Sequence, residues 1–224
     1  RMLKEDFGHE VMAYRPEART WEELERFTPR VGFITNPTSL HAETAIACAR
    51  RGMDVFIEKP LDAGLAHLEE LLEIVSKKRI TTYVGYVLRF HPVIQALKKI
   101  AGRYAFLHMR VVTTSHLPSW HPGRDSRNGY SAHRDMGGGV LYDLSHEIDY
   151  TQYILGYVKT LKGQASRRSD VTVDAEDYAD ILLETGRGPA NIHINFLSQM
   201  RQRLIQMDFR EKTVVGDLLR STVT

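Results

Sequence analysis

The chain has 224 residues, 42% hydrophobic and 26% charged, with 30 Lys and Arg against 28 Asp and Glu for a net charge of +2. That balance excludes a disordered tail, a collagen and a disulfide scaffold, and a charge so near zero argues against a broad nucleic-acid footprint. The single cysteine, Cys48, suits a reducing, cytoplasmic setting, and no apolar run approaches the ~20 residues that span a bilayer.

In chain order, residues 1–7 read as the tail of a helix stopped by Gly8. Residues 11–15 read as a short buried strand and Trp21–Phe27 as a short amphipathic helix. An apolar strand at 31–35 ends in Asn36-Pro37-Thr38-Ser39, where Thr38 or Ser39 is placed to cap a helix running to Arg51 before Gly52. Residues 53–57 form a strand that leads into Glu58-Lys59-Pro60. Leu61, Leu65, Leu68, Leu72 and Val75 then recur at helical spacing, and 80–87 is a further strand. Strand and helix alternating at short intervals indicate βαβ units on a parallel sheet.

Near residue 88 the pattern changes. Val93, Leu97 and Ile100 predict a helix, and 105–111 alternates as a half-buried strand of an antiparallel sheet. A loop of roughly 25 residues follows, long for a plain connector. Gly137-Gly138-Gly139 opens a helix to Leu155, closed by Gly156, and strands are expected at 178–185, 190–197 and 203–209. The fold class is α/β passing into α+β, with domains at 1–87 and 88–224.

Ligands of open parallel sheets sit at the carboxyl ends of the strands. Three polar segments stand there: Tyr14-Arg15, Asn36-Pro37-Thr38 and Glu58-Lys59-Pro60. Glu58 and Lys59 read either as ligand contacts or as solvated loop charges. In the glycine-led helix, Leu141, Leu144, Ile148 and Leu155 form an apolar stripe, with Asp143, His146, Tyr150 and Tyr153 on another face. A carboxylate beside an imidazole is the arrangement general acid–base chemistry requires, and a solvated helix face is the competing reading. The loop 115–139 carries Trp120, Tyr130, three His and three Arg, suited equally to clasping an anionic or sugar substrate and to a dimer contact. Ten His with no helical HxxxH and no paired Cys give no case for zinc.

These pieces, in this order, resemble the Gfo/Idh/MocA oxidoreductases: Asn36-Pro37-Thr38-Ser39-Leu40-His41, Glu58-Lys59-Pro60, Val84-Gly85-Tyr86 with Arg89-Phe90, Gly138-Gly139 with Asp143 and His146, and Glu176-Asp177-Tyr178. The resemblance runs from about Glu10 to Phe209. It implies a Rossmann domain, lacking its first strand here, followed by an open, mostly antiparallel sheet through which such proteins often form homo-oligomers. It implies hydride transfer between NAD or NADP and a hydroxyl or keto group of a sugar, nucleotide sugar or cyclitol. Lys59 would hold the substrate oxygen, His146 would exchange its proton and Asp143 would support the imidazole. Asn36, Pro37, Thr38, His41, Glu58, Lys59 and Arg89 would contact the cofactor, and Trp120, Arg124 and Tyr130 would join Lys59 and His146 on the substrate. Reduction of a non-sugar double bond or imine, and a non-catalytic dinucleotide- or sugar-binding sensor, are the alternatives.

Two departures stand out. Asp143 and His146 are three apart, where the family commonly spaces them by four, and no G-x-G-x-x-G precedes residue 11. A complete chain of this kind is expected to carry ~20 residues ahead of Arg1 and a longer stretch beyond Thr224. The expected second Rossmann strand ends in Tyr14-Arg15 with no acid for a ribose, which favours NADP with Arg15 on its 2′-phosphate.

Overall fold

The computed structural model describes residues 2–14 and 21–224. Its first part holds α1 (Met2–Glu5), α2 (Trp21–Phe27), β1 (Val31–Ile34), α3 (His41–Arg50), β2 (Asp54–Ile57), α4 (Leu68–Lys78) and β3 (Thr82–Val84). The three strands pair in parallel in the order β1-β2-β3. Ile34, Val55 and Ile57 pack on one sheet face against Ala45, Ile46 and Cys48 of α3 and Leu71 of α4. Burial raises the Cys48 thiol to about 11, so it stays protonated at neutral pH. Phe33, Phe56 and Tyr83 stack across the other face, continued by Phe90.

Several expectations shift at this level. Residues 11–14 form no strand, because among the described residues β1 pairs only with β2 and offers them no partner; Arg15 lies outside the described residues. Neither Thr38 nor Ser39 caps α3. Extended Pro37 starts a 3₁₀ turn, Thr38–Leu40, and α3 begins after it without a side-chain cap. The helix expected from Leu61 starts only at Leu68, since 61–67 is a loop closing over the carboxyl end of β2, with Leu65 at the surface. β3 is short, and a 3₁₀ turn at Val87–Phe90 leads out of it.

The second part comprises α5 (Pro92–Ala101), β4 (Phe106–His116), α6 (Val140–Asp143), α7 (His146–Leu155), β5 (Val158–Ser166), β6 (Tyr178–Thr185), β7 (Pro189–Asn195), β8 (Leu197–Phe209), β9 (Thr213–Asp217) and β10 (Thr222–Val223). They make a seven-stranded sheet ordered β10-β9-β8-β4-β7-β6-β5. β4 ends five residues later than expected and lies near the centre, antiparallel to β8 but parallel to β7. Met109, Val111, Ile192, Ile194, Ile205 and Met207 share the inner face, covered by Val93, Ile94 and Leu97 of α5 and by Tyr150, Ile154 and Leu155 of α7. β5, β9 and β10 escape the hydrophobic pattern because β5 is largely exposed and the last two are short. Leu197 opens β8 instead of closing β7, with Phe196 buried between them.

The single helix expected at 139–155 is two helices. The break falls at Leu144, with φ −99° and ψ 28°. In an unbroken helix the carbonyls of Tyr142 and Asp143 would accept from residues 146 and 147. Here Glu147 N–H turns to Leu144 O (3.2 Å), and the Lys59 ammonium donates to Asp143 O at 2.5 Å and Tyr142 O at 3.4 Å. The break moves Tyr150 into the core, entirely buried, away from the expected polar face with Asp143 and His146. Tyr153 lies elsewhere, bonded to Gln95 and under Lys98.

Candidate functional site

Lys59 leaves the end of β2 and reaches across to the junction of α6 and α7, so the two sheets meet where the parallel strands end. The ring nitrogens of His41 stand 2.8 Å from Pro60 O and 2.9 Å from Asn36 O, tying the ends of β1 and β2 together. Asn36 Nδ2 donates to Thr44, while its buried Oδ1 has no partner. Buried Thr38 packs against the glycine run: a Cβ on Gly137 would lie 2.7 Å from that of Thr38. Gly138 faces Tyr130 O and His133 O, and Gly139, at φ +115°, faces the Glu176 carboxylate. The three glycines are thus needed for close approach as well as for a turn.

Around the Lys59 ammonium stand Asp143, Ser145, His146 and Glu147, each with less than a tenth of its surface exposed. Burial lowers the Lys59 pKa, partly offset by Asp143 and Glu147. His146 falls from 6.5 to about 3, chiefly by burial, then by the positive charges of Lys59 and Arg203, so it is a neutral imidazole at physiological pH. Its ring lies edge-on to Tyr86, and its Nδ1 has no hydrogen-bond partner. Asp143 makes no hydrogen bond to His146. Its Oδ1 accepts from the Tyr130 hydroxyl at 2.7 Å and its Oδ2 is unpartnered, because the helix break puts the two residues on separate helices.

The remaining expected residues divide. Glu58 is exposed beside Gly85. The Arg89 fork is taken by Asp149, at 2.8 Å from Nε and 2.5 Å from Nη2, which raises its pKa and fastens the linker turn to α7. Trp120, Arg124 and Tyr130 line one cavity of about 570 Å³ within the long loop. Trp120 is held there by Ser115 Oγ at 3.0 Å and by the edge of Phe196. Among the described residues no three His, Cys, Asp or Glu side chains converge as a metal would require.

Sequence reasoning missed Glu147, Thr113 and Arg203. Glu147 is wholly buried; its Oε1 accepts from Thr113 Oγ1 at 2.7 Å and Arg203 Nε at 2.8 Å, and its Oε2 has no partner. The Tyr150 hydroxyl lies near Thr113 and Glu147 but meets neither in hydrogen-bonding geometry. One signal was available. Arg203 occupies the inward series that continues with Ile205, Met207 and Phe209, a register where a cation must find a partner.

Residues 3–86 match the model of an oxidoreductase family with an NAD-binding Rossmann fold, and residues 94–216 match the GFO/IDH/MocA C-terminal domain. The chain is 29% identical to inositol 2-dehydrogenase of Rhizobium meliloti (strain 1021) over 191 residues, 82% of this chain and 55% of that protein. It is likewise 29% identical to scyllo-inositol 2-dehydrogenase (NADP(+)) of Bacillus subtilis (strain 168), covering 80% of this chain and 50% of the other. The chain therefore spans about half the length of these relatives. Its fold superposes on the WlbA dehydrogenase of Chromobacterium violaceum, solved with NADH and UDP-GlcNAcA, with a TM-score of 0.78 at 18% identity. That match covers 95% of this chain and 61% of the other.

Proposed function

The chain belongs to the GFO/IDH/MocA oxidoreductase family, and from that premise we propose that it oxidises or reduces a carbinol carbon of a sugar, nucleotide sugar or cyclitol with a nicotinamide dinucleotide. The observation that carries this reading is the meeting of Lys59 with the α6–α7 junction, one ammonium beside one neutral imidazole among largely buried side chains. This junction suits a nicotinamide at the strand ends: Asn36 Oδ1 and His146 Nδ1 are buried without partners, as polar atoms awaiting a ligand would be. Asn36, Pro37, Thr38 and the Glu58-Lys59 segment would hold that end. No glycine-rich phosphate turn stands among the described residues.

Bound NAD(P) supplies the hydride acceptor or donor, and the rest falls to side chains of this chain. Lys59 donates to the substrate oxygen and stabilises negative charge there. His146, neutral at physiological pH, accepts the hydroxyl proton in the oxidative direction and returns it in the reductive one. Asp143 acts through its main chain, whose carbonyl aims Lys59, and through its carboxylate, which holds Tyr130. Trp120, Arg124 and Tyr130 lend the loop cavity to more distant parts of the substrate. A reducing, cytoplasmic setting agrees with the buried Cys48 thiol.

Lys59→Ala and His146→Ala are each expected to lower hydride transfer by about 10²–10⁴-fold, read by nicotinamide absorbance over a panel of sugars and cyclitols, with dinucleotide binding retained. Full turnover in both variants sinks the mechanism; ligand binding by the wild type without any turnover favours a sensor. For the cofactor we favour NADP over NAD, from Arg15 at a position lacking an acid. NADPH should then bind more tightly than NADH, with the difference lost in Arg15→Ala, and equal dissociation constants would refute this. The outer face of the seven-stranded sheet, with Leu182 exposed, is our candidate for self-association; a monomer mass by light scattering would remove it.

A further inference from the structure

The inner face of the large sheet changes character at one end. β4 presents Met109 and Val111 and then Thr113, while β8 presents Met207 and Ile205 and then Arg203. Thr113 and Arg203 are cross-strand partners, so both apolar series turn polar at one level of the sheet. α7 lays the fully buried Glu147 over this pair, and the carboxylate binds both. A buried ion pair of this kind is a poor source of stability, because desolvation offsets the attraction. What it does achieve is orientation: with Nε fixed on Glu147, the guanidinium plane is set, and although burial, the largest influence, works against its charge, Glu147 and Tyr150 together raise its pKa.

The Nη groups of Arg203 have no partner among the described residues, and 21% of the side chain is open. They are carried beside His146 by the bond to its chain neighbour Glu147, and the Arg203 charge acts on both Lys59 and His146. Unpartnered polar atoms of Asp143, Ser145, His146, Glu147 and Tyr150, all buried, line this stretch of chain.

We propose that the free edge of the Arg203 guanidinium binds a carboxylate of the substrate, so that the reacting sugar or cyclitol is a hydroxy acid. This rests on the oxidoreductase reading above. Two parallel N–H groups on a planar fork match a carboxylate in bidentate fashion. A monoanion suits the charges present, since Glu147 already accompanies Arg203 and Asp143 accompanies Lys59, leaving little to balance a phosphate dianion.

The test is calorimetric titration of the chain with matched pairs, galacturonate against galactose and glucuronate against glucose, with glucose 6-phosphate as the competing anion. Wild type should bind the acids at least ~10-fold more tightly than the neutral sugars, and Arg203→Gln should erase the difference, so that each acid and its neutral partner bind alike. Arg203→Lys keeps a charge opposite Glu147 if the glutamine variant misfolds, and should lose most of the preference because it lacks the fork. Equal affinities, binding of none of the acids, preference for the phosphate, or acid preference persisting in Arg203→Gln overturns the proposal. Turnover of neutral sugars without acid preference overturns it and leaves the oxidoreductase standing. Selective acid binding without hydride transfer supports the anion site and removes the oxidoreductase.

Discussion

His146 sits among atoms that favour its neutral form: buried surface first, then two cations. Such a group links stability to pH. The unfolded chain takes up a proton near pH 6.5, while the folded chain resists until about 3, so stability is complete above 6.5 and falls as pH drops through that window. Between pH 6.5 and 5 the loss should reach about 2 kcal/mol, and His146→Asn should remove it. Urea unfolding of both proteins at several pH values checks this; parallel pH profiles would show that His146 ionises freely in the fold. The same side chain separates pattern from contact. Asp143 and His146 read as neighbours because i and i+3 share a helix face, yet the carboxylate belongs to Tyr130 and the imidazole to Tyr86.

At the scale of elements, strands with strong inward alternation and helices with a clear apolar stripe were legible: α5, β6, β7 and most of β8 lie where the pattern puts them. Illegible were elements whose limits come from partners distant in sequence. α6 and α7 divide where Lys59, 84 residues earlier, takes the Asp143 carbonyl, a partnership that no local propensity records. β5 carries little apolar signal at the sheet edge. Candidate residues on motifs, such as Lys59, His146 and Tyr130, could be named, whereas Glu147, Thr113 and Arg203 come together only through the register of β4 with β8. The glycine run is the element most exposed to substitution. At Gly139, φ is +115° and a Cβ would lie 2.4 Å from Glu176 Oε1, an oxygen that also accepts from Leu141 N–H. Gly139→Ala should therefore cost about 2–4 kcal/mol, seen as a lower urea midpoint, and an unchanged midpoint would mean the turn relaxes freely.

At the scale of the whole molecule, two sheets of different logic meet. The small one is parallel and offers its strand ends; the large one covers its inner face with α5 and α7 and turns the outer face to the surroundings. Arg89 on Asp149 and Lys59 on the α6 carbonyls fasten the two together. The break between α6 and α7 is part of that join, since it frees the carbonyls that the lysine needs.

One consequence follows from the lysine that crosses from one sheet to the other. The ammonium comes from the first part of the chain and the imidazole from the second, so the proposed reaction centre is complete in neither. Cutting the chain near residue 90 would spare every hydrogen bond of both sheets, yet leave two pieces, one with Lys59 and without His146, the other with His146 and without Lys59. The proposed chemistry is a property of the seam, and the distance at which the two halves dock would set whether it exists.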